Sequence, residues 1–537
     1  MPPGTVSPAP PLRRAGRQLA AAWRSGAVKR GFFGTLAIEL GSFTPAYLPQ
    51  ASPIWGPLRA AHLDGPAVKV LGTVVVMAGM WLLVDGWFRL RRPSDRPAEP
   101  WATLLIWSLP FLFGPPIFSH DAYSYAAQGW LLLHHLDPYS VGPGVLPGPF
   151  ADLVAAVWRD TPAPYGPLAL RLSEALTALS GGYATVAAEL QRVPAVVGTA
   201  LIVTFLPRLA GHVDRPPAGT PASRATPDAP DTPDTPSRPD ADTARSRVVW
   251  FACLNPLVVI DCVGGAHNDA LMMGLVIVAL WLAAVGPGRR ADPAALARHR
   301  AARWLAAAVL VGAAAAIKQP AFLAALVLPL VGGPPPDWRN PRQALAALGR
   351  MLAALATSAA TFAALSLACG LGFGWLRALG VPGSVATVSP TSLIGETVQW
   401  FVNRAPSHAG VIGDRTAVTL VQTIGTALGF ALIAVIALTL GRRRPVHALS
   451  LSWLAIAFLG PALHSWYVLW GGLLLPLGHR RPATPRIAVG VTVTLLSYAG
   501  INLAWRNGLW AVGAAAAALL MWLAVLHERD RRRADKV

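Results

Sequence analysis

The sequence is poor in charge. Only 13% of its 537 residues are Asp, Glu, Lys or Arg, about half the share of an ordinary soluble domain. That leaves too little polar surface to wet a globule of this size or a string of smaller domains, which argues against a soluble enzyme. Cysteine is nearly absent. Cys253 and Cys262 lie nine residues apart on one predicted helix, about 13 Å along its axis at about 1.5 Å per residue and too far for a disulfide. With Cys369 they read as small packing residues. Lysine is scarce, at four residues, while arginine does most of the basic work. A cleavable signal is also missing: the basic N-terminus runs into an interrupted apolar stretch, Gly31 to Leu48, with no clear small-residue cleavage site, so that stretch reads as a first span that stays.

What the chain has in quantity is apolar sequence, 54% of the total, much of it in stretches of about 20 residues, long enough to cross a bilayer. Candidate spans fall at 31–49, 67–90, 101–119, 183–209, 248–264, 267–286, 304–317, 320–332, 345–369, 416–440, 448–462, 464–478, 485–503 and 508–526. Several are short, so fourteen is an upper count. The formal charge of +19 does not indicate nucleic acid, because a phosphate-binding patch needs a solvated face. It sorts with topology instead. With the N-terminus inside, eight alternate segments (1–30, 89–100, 208–247, 287–303, 333–350, 441–447, 479–486 and 527–537) hold 35 of the 45 Lys and Arg, as short cytoplasmic loops do. Both termini are therefore expected in the cytoplasm. The ten exceptions include Arg192 and Lys318.

This divides the chain into a basic tail (1–30), a first set of spans with a long outer loop (31–209, loop 119–182), a linker (210–247), the remaining spans (248–526) and a second basic tail (527–537). The linker holds eight Pro, six Asp and five Arg, with Val213 its one large aliphatic residue. It cannot bury enough apolar surface to fold and is expected to be disordered. The outer loop is different in kind. It interleaves Tyr123, Tyr125, Trp130, Tyr139, Trp158 and Tyr165 with Asp121, Asp137, Asp152 and Asp160, and closes on an amphipathic stretch, Leu168 to Leu179. Such a loop reads as ordered, with helices lying in the interface, and loops longer than about 15 residues in a tightly connected bundle are usually functional. Val385 to Val402, which contains Glu396 and a Ser-Pro-Thr-Ser turn, reads as re-entrant or interfacial.

Polar residues gather where the upward-running spans end: His120-Asp121-Ala122-Tyr123-Ser124-Tyr125, Gly264-Gly265-Ala266-His267-Asn268-Asp269, Lys318-Gln319-Pro320 and His464-Ser465-Trp466-Tyr467, with Glu189 and Arg192 near the outer end of a descending span. Each has a structural reading. Asp121 also fits a helix N-cap, Lys318 a snorkelling cation, Arg192 an i, i+3 partner of Glu189, His267 to Asp269 a tight turn, and the aromatics an interfacial belt. It is their convergence at one depth that calls for chemistry. A carboxylate beside two cations at headgroup depth suits transfer from a polyprenyl-phosphate sugar. The phosphate leaves as an anion, so cations at its oxygens stabilise the charge that develops. The remaining task is to deprotonate the acceptor hydroxyl, general-base work for one carboxylate, and a single base implies inversion. Metal is not required by this chemistry; if one were needed, Asp121, Asp137 or Asp269 would be its ligands. A lipid-linked-sugar transporter or flippase is the competing reading, but it would place polar residues near the midplane between related halves.

At these residues the chain resembles a known family, the actinobacterial polyprenol-phosphomannose-dependent α-1,6-mannosyltransferases of the MptB type within the GT-C glycosyltransferases. The resemblance is carried by His120 to Gly129, Leu136-Asp137-Pro138-Tyr139-Ser140, Pro164-Tyr165-Gly166-Pro167, Gly264 to Leu271, Lys318-Gln319-Pro320, Ser389-Pro390-Thr391-Ser392 and His464-Ser465-Trp466-Tyr467. It extends from about residue 31 to 526. It implies an all-α polytopic membrane protein, a GT-C bundle of about 12–14 transmembrane helices with the site under the long first outer loop, in the plasma membrane with the active site on the outer face. It further implies a polyprenyl-phosphate-mannose donor, a mannan glycolipid acceptor of lipomannan or lipoarabinomannan assembly, no cofactor, and Asp121 as the base. Lys318 and Arg192 are then expected at the donor phosphate. Tyr123, Tyr125, Gln128, Asp137, Tyr139, Tyr165, His267, Asn268, Asp269, His464, Trp466 and Tyr467 are expected around sugar and acceptor. The same fold with an arabinofuranosyl or glucosyl phosphopolyprenol donor remains a third reading. Ser465 departs from the family pattern, in which proline stands between the His and Trp of that motif.

Overall fold

Long runs of Ala, Leu and Val with proline at their starts favour helices that begin at Pro and satisfy their own backbone, as a lipid environment requires. The computed structural model describes residues 11–213, 241–285, 293–332, 335–377, 381, 387, 389–404, 415–478 and 483–534, and among these there is no strand. The protein is all-α. Among the described residues, six helices are long and apolar enough to cross a bilayer: Pro66–Arg89, Ala184–Val213, Pro341–Ala368, Thr416–Gly441, Arg486–Arg506 and Leu509–Glu528. The pair Ala244–Cys253 and Val258–Gly264 makes a seventh if read as one broken span, and Pro100–Phe113, Asp269–Ala284, Gln319–Leu330 and Pro445–Leu459 are shorter apolar helices. Several predicted spans are thus shorter or broken, and proline or glycine marks the breaks. Pro115 and Pro116 follow the 100–113 segment, and Pro256 divides 248–264. The predicted span 464–478 is two short helices, Ser465–Gly472 and Leu475–Gly478, parted after Gly471-Gly472. The expected linker, 210–247, lies outside the described residues from 214 to 240, and so do positions 1–10 and 535–537 of the two tails.

The chain divides into two compact units. The first comprises residues 1–120, 253–265 and 489–537. In it, Gly26–Gly41 and Pro66–Arg89 run antiparallel along a seam of small residues. A methyl at Gly34 would lie 2.7 Å from the Gly79 carbonyl oxygen, and one at Gly41 2.6 Å from that of Gly72. Such close backbone approach is how helices gain packing energy where water does not drive them together. Asn507 ties the connecting loop down, accepting from the Ala46 amide at 3.0 Å and donating to Thr44 and Thr73 hydroxyls at 3.0 and 3.1 Å.

The second unit comprises residues 121–252 and 266–488. The stretch expected to be an ordered loop is helical here: Asp121–Leu133, Pro149–Asp152, Ala156–Arg159 and Pro167–Leu179. Asp121–Leu133 packs on Pro167–Leu179 through Gly129, and Thr177 donates its hydroxyl to the Ala126 carbonyl at 3.2 Å. Helices Arg192–Val213 and Asp269–Ala284 are neighbours running the same way, since Gly198 meets Ala270 and Phe205 meets Trp281 with ring centroids 5.0 Å apart.

Candidate active site

Asp121 is the first residue of its helix, with one-fifth of its side chain exposed. Its Oδ2 is 3.5 Å from Nδ1 of His267, which is fully buried. That separation is at the outer limit for a hydrogen bond but close enough for charge to matter. Burial raises the Asp121 pKa, but His267 beside it, then His464 and Lys318, outweigh this and hold the carboxyl down at about 2. His267 is delivered by Ala266 in the left-handed region (φ 56°), a conformation that costs a non-glycine residue roughly 1–2 kcal/mol and persists where the surroundings enforce it.

The His267 ring stacks on Trp466 at 3.6 Å, and Trp466 stacks on His464 at 4.5 Å. These rings come from Ser465–Gly472 and the residue that precedes it. From the same short helix, Tyr467 and, one turn after Trp466, Trp470 stack at 4.3 Å and cover Lys318, whose Nζ lies 4.7 Å and 5.7 Å from the two ring centroids. Lys318 is not a free cation. Its Nζ is 2.8 and 3.0 Å from the two Asp269 oxygens, and Trp470 Nε1 donates to Asp269 Oδ1 at 2.7 Å. The ion pair is nearly completely buried.

Local sequence explains why Lys318 stands there. Pro320 sits in the first turn of the next segment, Gln319–Leu326, where its missing N–H costs nothing, and Lys318, the residue before that segment, is extended (φ −152°, ψ 127°). The turn is held from two sides. Trp453 Nε1 donates to the Pro320 carbonyl at 3.0 Å, and the Gly166 and Leu168 amides donate to Ile317 and Ala316 carbonyls at 3.1 and 2.9 Å. Residue 166 must be glycine, because a methyl there would collide with the Ala316 carbonyl. This contact carries Tyr165 into the cluster, where it meets Tyr125 edge-on at 4.9 Å. Burial, then the neighbouring phenol of the pair and the Asp121 and Asp269 carboxylates, hold the Tyr125 hydroxyl well above its ordinary pKa.

Asp121, Tyr125, Tyr165, His267, Asp269, Lys318, His464, Trp466 and Tyr467 therefore share one cluster, with Tyr125, His267, Asp269, Lys318 and Trp466 buried and the rest partly buried. Asn268 stands between two of its members, with Oδ1 buried and without a hydrogen-bond partner. Gln128, two turns after Asp121 on the same face, has a buried Oε1 in the same condition. Arg192 is 4% exposed and heads its helix. It lies about 9 Å beyond Gly198 at about 1.5 Å per residue, more than a turn past the level of Ala270, which Gly198 meets, and its charge acts on Glu189. Three residues are employed otherwise. Tyr123 faces the opposite side of its helix, in an apolar cluster with Ala126, Phe150 and Leu153. Asp137 closes its own turn, accepting from the Tyr139 amide at 3.0 Å and the Ser140 hydroxyl at 2.7 Å. Tyr139 donates to the Tyr165 carbonyl at 2.9 Å and so braces that residue from behind.

Sequence reasoning missed Trp470. Its signal was present: it lies i+4 from Trp466 and i+3 from Tyr467, the spacing of one helix face. It also missed that Asp269 neutralises Lys318, which no local spacing reveals across 49 residues.

A family model described as the N-terminal domain of α-(1→6)-mannopyranosyltransferase matches residues 28–222 and 240–332. That stretch includes Asp121, Asp269 and Lys318 and stops short of His464. A probable α-(1→6)-mannopyranosyltransferase of Mycolicibacterium smegmatis is 29% identical over 496 residues, covering 86% of this chain and 80% of that protein. The α-(1→6)-mannopyranosyltransferase A of Mycobacterium tuberculosis is 28% identical over 531 residues, covering 95% of this chain and 91% of that one. An oligosaccharyltransferase of Archaeoglobus fulgidus aligns over 83% of this chain and 56% of its own at a TM-score of 0.31 and 14% identity.

Proposed function

The chain belongs to the α-(1→6)-mannopyranosyltransferase family, and on that premise we propose that it moves mannose from a polyprenyl-phosphate-mannose donor to an α-1,6-mannan glycolipid. It is a membrane mannosyltransferase; the donor, the acceptor and the outer face are the reading put forward here. The observation that carries it is an ionised carboxylate, Asp121, in the same aromatic-rich cluster as a buried ammonium, Lys318, that Asp269 keeps charged.

In this reading an Asp121 oxygen takes the proton of the acceptor hydroxyl as that oxygen attacks the anomeric carbon. The bond from that carbon to the phosphate oxygen breaks on the opposite face, and its electron pair leaves with the phosphate. A single displacement inverts the centre. A Lys318 N–H turns to a phosphate oxygen on binding, its other neighbours being Asp269 and the Tyr467 hydroxyl, and Arg192 is the second cation proposed for the phosphate. Asp269 makes this possible by offsetting the cost of keeping an ammonium charged out of water. Tyr125, Tyr165, His464 and Tyr467 bring aromatic rings to where sugar would bind, Trp466 braces them between His267 and His464, and Gln128 Oε1 and Asn268 Oδ1 await hydroxyl donors. Asp137 and Tyr139 shape the loop behind Tyr165, and Tyr123 packs the helix.

The test is a panel of polyprenyl-phosphate mannose, glucose and arabinofuranose donors offered with mannan acceptors to the purified protein, with products read by mass spectrometry. Transfer from the mannosyl donor alone is expected. Transfer only from another donor, or uptake into proteoliposomes without bond cleavage, would overturn the reading.

A further inference from the structure

The hydroxyls of the Ser389-Pro390-Thr391-Ser392 motif are buried and all are used. We propose that this motif, with Thr387, is the mount that positions the His464–Trp470 arm; its residues are positioning residues for the donor phosphate, an assignment that rests on the function proposed above. The arm follows the helix Pro445–Leu459 through the link Gly460-Pro461-Ala462-Leu463, where regular helical bonding stops and carbonyls are left over. The motif takes them. Thr391 donates to the Gly460 carbonyl at 2.7 Å, and Ser392 and Ser389 donate to the Pro461 carbonyl at 2.7 and 3.1 Å. Thr387 accepts from the Leu463 amide at 3.2 Å. Direction along the chain of hydroxyls is set by Gln422, whose Nε2 donates to Ser392 Oγ at 2.9 Å and leaves the Ser392 hydrogen for Pro461.

Helix capping accounts for only part of this. Ser389 Oγ accepts from the Ser392 amide at 3.1 Å, an ordinary N-cap. The Thr391 and Ser392 hydroxyls have no capping duty, and they reach across about 70 residues of sequence to a segment with no local partner for its carbonyls. One residue beyond Leu463 stands His464. Trp466 against His267, and Tyr467 and Trp470 over Lys318 follow within the next two turns. A short link fixed at three successive points leaves the arm little freedom, and a displacement of about 1 Å at a reacting centre is enough to cost activity.

The test uses the full chain in detergent and compares Thr391→Val, Ser392→Ala and Thr391→Ser. Hydrogen exchange of the 460–467 segment is read by mass spectrometry, and KM for donor and acceptor are measured separately. Thr391→Val and Ser392→Ala should each speed exchange there and raise donor KM by about fivefold, the size of one lost hydrogen bond, with acceptor KM within about twofold. Thr391→Ser, which keeps the hydroxyl, should stay within about twofold of the parent in both. Unchanged exchange, a Thr391→Ser variant as impaired as Thr391→Val, unchanged kinetics, or a loss confined to kcat would each overturn the proposal. If the parent protein transfers no mannose at all, the proposed function falls, and the exchange comparison still decides whether the motif is the mount.

Discussion

Replacing Asp269 with asparagine leaves the Lys318 ammonium buried without its counter-charge. At 2.8 Å the gross attraction within the pair is about 6 kcal/mol at an effective dielectric of about 20. Much of this is offset by desolvation, but breaking one side of a buried pair strands the other charge and costs about 3–5 kcal/mol. The introduced amide would still accept from Trp470, so the loss reports the ion pair and not the indole bond. The double variant Asp269→Asn/Lys318→Met removes both charges and should recover most of that stability. It should not recover transfer: without the ammonium, turnover is expected to fall by about a hundredfold or more, as for loss of one charge-stabilising donor. Thermal unfolding of the detergent-solubilised chain gives the first quantity and transfer from labelled donor the second. An Asp269→Asn protein as stable as the parent would refute the buried pair, and a double variant with parental turnover would remove Lys318 from the phosphate.

Three further outcomes follow from the cluster. With its carboxyl held at about 2, Asp121 stays ionised above about pH 4, so activity should show no acid limb from it between about pH 5 and 8. His267→Phe keeps a ring to stack but removes the neighbour that most depresses Asp121, so burial then raises its pKa and activity should be lost as pH falls through the new value; a superimposable pH profile would refute this. Gly166→Val drives a side chain into the Ala316 carbonyl and should displace Tyr165 and the Lys318 turn together, lowering transfer at least tenfold by loss of position; transfer at the parental rate would show that the contact is not needed.

Much of this site could be read from the chain because its parts are short and locally marked. A proline after Lys318-Gln319, a glycine after Tyr165 and an aspartate opening a helix each announce a break where a side chain is set loose from helical packing. What escaped is what depends on phase and on distance. Tyr123 lies two residues after Asp121, about 200° around the helix, so the 3.6-residue period already turns it away from the site. Asp137 before Pro138-Tyr139 is a turn-forming carboxylate by its own local chemistry. The Lys318–Asp269 pair and the Thr391 and Ser392 bonds to Gly460 and Pro461 join residues 49 to 69 apart, and hydropathy carries no record of them. Individual helices run shorter than the apolar stretches for a related reason: apolar runs continue through Pro256 and Gly471-Gly472, while helices do not.

The most direct measurement is turnover of Asp121→Asn with labelled polyprenyl-phosphate mannose and a mannan acceptor. Asparagine preserves shape and hydrogen bonding but cannot accept the proton. Turnover is predicted to fall by about 10²–10⁴, the usual contribution of a general base, in folded membrane-inserted protein whose donor KM stays within about threefold of the parent. Turnover within tenfold of the parent would contradict the assignment of Asp121 as the base.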